Sequence, residues 1–252
     1  MAYETIDDQD YNFRSYSDNK MDFVNPEGNR YAFIVDSQTE YEMPDDSNVI
    51  LYNIEKGKTV KEFRAVKNYT VGLEGNIVFV KELNSGWRIM VLKGNEPTYL
   101  TDYTYEYVSV NDEVKSDGKL DSSNIVTYDG TSWQLINDIG TERTGKTNKE
   151  IIDYSINNVI YGNNGLYQLQ SLSGHPYLNG NSFREIRFIK EFNSYVEVTS
   201  IDNQYSIVDF NSNSTVSSTY KTTDYQDIKA KVNSSGDIEI ISNGQVLETI
   251  KK

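Results

Sequence analysis

Cysteine is missing altogether from the 252 residues, which excludes disulfides, a thiolate nucleophile and any zinc or iron–sulfur centre held by cysteine. Histidine is nearly missing too, with His175 in "LSGHPYLNG" standing alone. A His-rich metal centre and an HExxH helix are thereby ruled out. No G-x-S-x-G elbow exists for the imidazole to serve, and a histidine next to proline in a loop is expected on the surface. Alanine is confined to Ala2, Ala32, Ala65 and Ala230, so a mainly helical fold would lack its best helix former. No apolar run approaches the ~18 residues of a membrane span, and the opening "MAYETIDDQDYNF" has no charged-then-apolar signal pattern. The expectation is no membrane insertion within this sequence, with any signal or anchor lying outside it.

Positive charge is also scarce. There are 24 basic against 38 acidic residues, a net charge of -14, and the acidic residues are scattered along the chain. Such a surface repels phosphate backbones and anionic headgroups, so nucleic acid is not expected as a partner; the same charge also serves plain solubility. The carboxylates are too numerous for any pair to be read as a glycosidase acid and base. In "NDEVKSDGKLD", placing Gly118 at the turn of a calcium loop puts Glu113, Lys115 and Asp117 at the ligand positions before it, and a lysine there defeats the cation. No catalytic residue, cofactor or metal ligand is assigned.

What the chain has in quantity is tyrosine, at 20 residues, with 9 Phe and 2 Trp, together with recurrent Val, Ile and Thr; this is strand material. A polar residue followed by tyrosine recurs at Asp10-Tyr11, Asn68-Tyr69, Asp102-Tyr103, Asp153-Tyr154 and Asp224-Tyr225. Between these markers one phrase returns: an apolar run, an Asn, Asp or Gly turn, a second run. It is written in "GNIVFVKELNSGWRIMVLKGN", "SNIVTYDGTSWQLIND", "NNVIYGNNGLYQLQSL", "SYVEVTSIDNQYSIVDF" and "GDIEIISNGQVLETI". The tips fall near Asn84-Gly86, Asp129-Gly130, Asn163-Gly165, Asp202-Asn203 and Asn243-Gly244. "NRYAFIV" and "NVILYNIEKGK", split by a polar insertion, make a sixth hairpin.

Repeats of this length and phrasing resemble six-bladed β-propellers in general, bacterial or phage, and no narrower family is assigned. "TYDGTSW" (Thr127 to Trp133) also resembles a shortened Asp-box hairpin of sialidase-like propellers, S-x-D-x-G-x-T-W, with one residue missing between Asp129 and Gly130. In that family the motif stabilises a turn away from the active site, so the resemblance implies fold rather than catalysis. The fold class expected is all-β: a single six-bladed β-propeller of four-stranded antiparallel blades spanning residues 1–252. Blades fall at roughly 20–64, 65–103, 104–146, 147–181, 182–224 and 225–252. The last contains only "DIKAKV", "DIEII" and "QVLETI", and the N-terminal segment "YETID" is available as its outer strand.

One motif points elsewhere. "GTERTGKT", Gly140 to Thr147, fits G-x-x-x-x-G-K-[ST], the phosphate-binding loop with Lys146 as its lysine. That loop needs a buried parallel strand before it and a helix after it. Upstream, "TSWQLINDI" alternates, with Trp133, Leu135 and Asn137 on one face, as in a half-exposed antiparallel strand. Downstream, Ile152, Ile156, Val159 and Ile160 fall at helical spacing, yet the same stretch reads as two strands with turns at Asn157-Asn158 and Gly162 to Gly165. Asp209 in "YSIVDF" could serve as a magnesium-binding aspartate but sits equally well in its hairpin. No alternating strand and helix framework surrounds these pieces, and the segment is expected to be a loop and outer strand.

The function expected is that of a non-enzymatic module binding a protein or glycan partner, extracytoplasmic on a bacterial surface, secreted, or part of a virion. A glycan hydrolase using funnel carboxylates and a phosphate-loop nucleotide-binding protein are the alternatives. The site expected for a partner is the insertion "DSQTEYEMPDDSN". It is longer than any hairpin requires and carries Asp36, Glu40, Glu42, Asp45 and Asp46 around the apolar anchors Tyr41 and Met43.

Overall fold

Strands such as "NIVFVK" and "WRIMVL" are apolar at consecutive positions, and a strand of that kind is satisfied only between two layers. The computed structural model describes residues 3–6, 9–12, 23–24, 30–35, 49–53, 55–71, 76–82, 84–92, 96–114 and 120–251. These are all-β, with antiparallel sheets and, among the described residues, no α-helix, only two short 3-10 turns at Leu178–Gly180 and Thr222–Asp224. The chain divides into two compact units, Met1–Lys146 and Thr147–Lys252.

The first unit opens with a hairpin of β1 (Tyr3–Ile6) and β2 (Gln9–Asn12). Three meanders follow. The first sheet is β3 (Phe23–Val24), β4 (Arg30–Val35), β5 (Val49–Asn53) and β6 (Lys58–Phe63). The second is β7 (Ala65–Val71), β8 (Asn76–Lys81), β9 (Trp87–Leu92) and β10 (Thr98–Tyr99), and the third is β11 (Tyr107–Val114), β12 (Leu120–Tyr128) and β13 (Trp133–Ile136). Register decides what each face buries. Phe79 lies opposite Ile89 and Ile77 opposite Val91; these four pack with Val108, Val110, Ile125 and Ile136 of the third sheet. The intervening residues Val78, Val80, Met90 and Leu92 point the other way, onto Val49, Leu51 and Phe63 of the first sheet. The second sheet is thus buried on both faces, which is why its strands read as continuous apolar runs.

The second unit repeats the arrangement. Its sheets are β14 (Glu150–Tyr154), β15 (Asn158–Asn163) and β16 (Leu166–Ser171); then β17 (Glu185–Phe188), β18 (Tyr195–Thr199) and β19 (Gln204–Asp209), with β20 (Ser214–Thr215) and β21 (Tyr220–Lys221) both paired to β19; and last β22 (Lys229–Val232), β23 (Ile238–Ser242) and β24 (Gln245–Ile250). Val196, Val198 and Val208 face Ile160 and Leu169 of the preceding sheet. Tyr205 and Ile207 face Ile238 and Ile240 of the following one.

Turn chemistry is where the hairpin tips place it: Asn84, Asn164, Asn203 and Asn243 all have positive φ, as does Gly130 at +92°, the backbone region that asparagine and glycine tolerate best. Gly86 answers a different need. A Cβ there would lie 2.4 Å from the carbonyl oxygen of Tyr105, because Trp87 and Tyr105 exchange backbone hydrogen bonds of 2.6 and 2.8 Å at this point.

Three expectations are corrected. Tyr3–Ile6 is paired with Gln9–Asn12 in its own two-stranded sheet, and the last sheet has three strands. Gly162 is not a turn residue but lies within β15, the turn being Asn164-Gly165. The polar-Tyr dipeptide does not mark one structural position: Asp153-Tyr154 ends β14, whereas Asp102-Tyr103 lies in the connection ahead of β11.

Candidate functional site

The end of the third sheet is built around one carboxylate. At the β12–β13 tip, Asp129 Oδ1 accepts the backbone N–H groups of Thr131 (3.0 Å) and Ser132 (2.8 Å) and the Thr131 hydroxyl (2.8 Å). A short polar side chain closing its own turn in this way is what favours aspartate at such positions. Gly130 is required twice over, by its φ of +92° and because a Cβ would meet Glu106 Oε1 at 2.6 Å. Tyr128 Oη donates to the Gly130 carbonyl at 2.9 Å. The Asp-box-like segment therefore does here what the resemblance implies: it fixes a turn.

The other oxygen, Asp129 Oδ2, accepts from Lys146 Nζ at 2.7 Å. Lys146, chiefly, and the Thr131 hydroxyl after it hold the Asp129 carboxyl well below the usual carboxylate range, and Asp129 in turn raises the lysine. The ammonium group also lies 5.5 Å from the ring centre of Tyr103, itself 63% exposed. Tyr105, Thr127, Ser132 and Gln134 complete the walls of a notch of about 10 Å³, room for a single water. On the other face of the same hairpin Trp133 stacks on Tyr128 at 4.7 Å and meets Tyr107 at 5.6 Å; Tyr107 is 43% exposed.

"GTERTGKT" supplies Lys146 from an edge segment of this sheet. Arg143 N–H donates to the Leu135 carbonyl at 2.8 Å, Asn137 N–H to the Thr141 carbonyl at 2.9 Å, and Leu135 N–H to Thr144 Oγ1 at 3.0 Å. Glu142 bridges Ile136, and the next regular element, at Glu150–Tyr154, is a strand. A phosphate loop needs N–H groups converging on a helix N-terminus; here those of Gly140 and Thr141 are spent on Asn137, and those of Arg143 and Thr144 on the Leu135 carbonyl of β13. Asp209 likewise caps its own turn, accepting from Asn211 N–H at 3.0 Å. His175 is exposed, edge-on to Tyr177 at 5.7 Å.

Of the residues proposed from sequence to contact a partner, Asp36, Glu40, Tyr41, Glu42, Met43, Asp45 and Asp46 lie outside the described residues. Among the described residues no group of three or more His, Asp or Glu side chains is placed to hold a metal ion. No helix among them is long and apolar enough to cross a membrane. The exposed Tyr103 beside an Asp–Lys pair was not legible in advance, since the pairing joins residues from two segments that only the sheet edge brings together.

The two partners of that pair separate by experiment. Asp129→Ala is expected to cost about 1–2 kcal/mol, since it removes the turn's acceptor. Lys146→Ala, which removes only an exposed ion pair, should cost less than about 1 kcal/mol. Urea unfolding measures both, and ATP or GTP with magnesium should not raise the melting temperature of the parent protein. A saturable shift abolished by Lys146→Ala would restore the nucleotide reading.

No protein-family model matches the chain, and no curated protein matches it. Among solved structures it is similar to Hsv2 of Kluyvelomyces marxianus (12% identity, TM-score 0.40, covering 78% of this chain and 63% of that one). It is also similar to Hsv2 of Kluyveromyces lactis (11%, 0.39, 88% and 70%) and to the WD40 β-propeller domain of Doa1 (11%, 0.36, 88% and 79%). The chain therefore spans less than two thirds of the length of the first of these. These neighbours are WD40 β-propeller proteins, and they single out no narrower family.

Proposed function

We propose that this protein is a non-enzymatic interaction module, a single six-bladed β-propeller at the boundaries given above, which docks a protein partner on the surface of a bacterial cell or a virion. The observation that carries the reading is the end of the third sheet. An exposed tyrosine and a fixed Asp–Lys pair line a notch with room for a single water, and a Tyr–Trp–Tyr cluster lies on the other face of the same hairpin. Aromatic residues beside polar groups on a rigid turn give contact area at low entropic cost, the composition of a binding surface rather than of a catalytic cleft. The Asp129 carboxylate is already committed to the turn and to Lys146, which leaves it no role as acid or base. Six successive meanders, packed face to face within each unit, support the blade count. The acidic insertion, with Asp36, Glu40, Tyr41, Glu42, Met43, Asp45 and Asp46, is proposed as a second contact for the same kind of partner.

A photoreactive residue placed at Thr131 in the native host should give a discrete protein adduct that Tyr103→Ala and Trp133→Ala together abolish while the melting temperature stays within a few degrees. Replacing Asp36 to Asn48 by an Asn-Gly turn should leave stability nearly unchanged and weaken the same adduct. Turnover of a glycan by the purified protein, lost on removing a carboxylate, would refute the non-enzymatic reading.

A further inference from the structure

On the rim between the first and second sheets, the guanidinium carbon of Arg88 of β9 lies over the ring of Tyr99 of β10, 3.4 Å from its centre. Lys61 of β6 donates to Tyr99 Oη at 2.7 Å and to Glu82 Oε1 at 2.7 Å, and Tyr99 Oη also hydrogen-bonds Glu82. The positive charge of Lys61 is thus matched by Glu82, whose carboxyl is held below its ordinary range first by the Lys61 hydrogen bond and then by that of Tyr99. Arg88 is different. Its Nε is buried and has no hydrogen-bond partner among the described residues; shielded from solvent there, it leaves the terminal Nη groups as the ones a ligand can meet.

We infer that this rim is an anion-binding site in which the Arg88 fork takes a carboxylate of an acidic polypeptide segment lying along β6. A guanidinium laid on an aromatic face keeps its N–H groups in its own plane, aimed past the ring, the geometry that matches a carboxylate with two parallel bonds. The local charge fits the same ligand. Residues 55–64 carry Lys56, Lys58, Lys61 and Arg64 against Glu55 and Glu62, within a chain of net charge -14. β6 is the last strand of the first sheet. Lysines on an outer strand discourage pairing with neutral or apolar strands, which accounts for Lys58 and Lys61; it does not account for Arg88, which sits inside its sheet on β9. An acidic extended segment fits both, offering carboxylates to Lys58 and to the fork. A polypeptide carboxylate fits better than a phosphate dianion, because Glu82 stands beside the site and a second negative charge would face it.

The site is separate from the third-sheet surface and stands or falls without it. The test uses the 252-residue protein and a fluorescein-labelled peptide of alternating Glu and Val, read by anisotropy at low ionic strength. Saturable binding is expected, lost with the Gln–Val counterpart, weakened by salt, and about tenfold or more weaker in Arg88→Gln. Arg88→Lys keeps the charge but not the fork and should also weaken binding, which keeps the test open if Arg88→Gln does not fold. Binding that is absent, or unchanged in an Arg88 variant with the parent melting temperature, overturns the proposal. Displacement of the peptide by an equal concentration of inorganic phosphate overturns the assignment to a polypeptide.

Discussion

Phe79→Ala is expected to lower stability by about 3–5 kcal/mol, more than any substitution at the exposed ends of the hairpins. The side chain is 1% exposed and sits in the layer between the second and third sheets with Ile77, Ile89, Val108 and Ile125, each fully buried. Two sheets lose contact at once when it is removed, and neither can collapse into the space without giving up the face it packs on its other side, where Val78, Val80 and Met90 hold the first sheet. Cavity cost therefore adds to lost transfer energy. Urea unfolding should show a lower midpoint at unchanged slope. Phe79→Leu should recover more than half of the loss, because it keeps most of the volume. A cost below about 1 kcal/mol for the alanine variant would mean that the sheets do not share this layer.

The hairpins were legible because their turns obey local rules. Asn84, Gly130, Asn203 and Asn243 hold positive φ, a property of the residue itself rather than of what surrounds it. Two-sided burial was not legible in the same way. "TSWQLINDI" reads as a half-exposed alternation, yet Gln134 and Ile136 are buried along with Leu135. A glutamine ranks as polar in sequence, whereas in the fold its amide is satisfied by the Thr144 carbonyl at 3.1 Å. Arg88 and Tyr99 belong to neighbouring strands whose register sequence alone does not give. Lys146 shows the converse case: a motif defined by spacing matched perfectly, while a sheet edge stands where the strand and helix that give the spacing its meaning would be, as the context of the motif led one to expect. The polar-Tyr repeat failed for a related reason, since tyrosine is frequent enough here to recur at unrelated positions.

Glu197 carries the second large effect, and its sign depends on the replacement. In "SYVEVTS" it stands between Val196 and Val198, which face the preceding sheet, so alternation turns it toward the last sheet. There its Oε2 accepts the Tyr205 hydroxyl at 2.7 Å and the Ala230 backbone N–H at 2.8 Å. Glu248 returns the contact from β24 by accepting Ser218 N–H at 2.9 Å and the Tyr220 hydroxyl at 2.8 Å. Glu197→Ala strands the half-buried Ala230 N–H and the hydroxyl of Tyr205, which is 3% exposed, and should cost about 2–3 kcal/mol. Glu197→Gln keeps an acceptor for both donors without a charge. Burial raises the Glu197 carboxyl above its ordinary value of 4.5, outweighing the two hydrogen bonds and Arg187 on the facing strand, which favour the charged form, while Glu185 adds to the rise. A carboxyl with a raised value in the folded chain contributes stability that is full below 4.5 and is lost as pH climbs through the folded value. The glutamine variant is therefore expected to match or exceed the parent at neutral pH. Relative to that variant, the parent should gain stability steadily as the solution is acidified toward 4.5. Unfolding free energies of both proteins across this range give the difference directly, with titrations common to the two cancelling. A glutamine variant less stable than the parent by more than about 1 kcal/mol at neutral pH, or a difference that does not change with pH, would show that the carboxylate is held in its charged form.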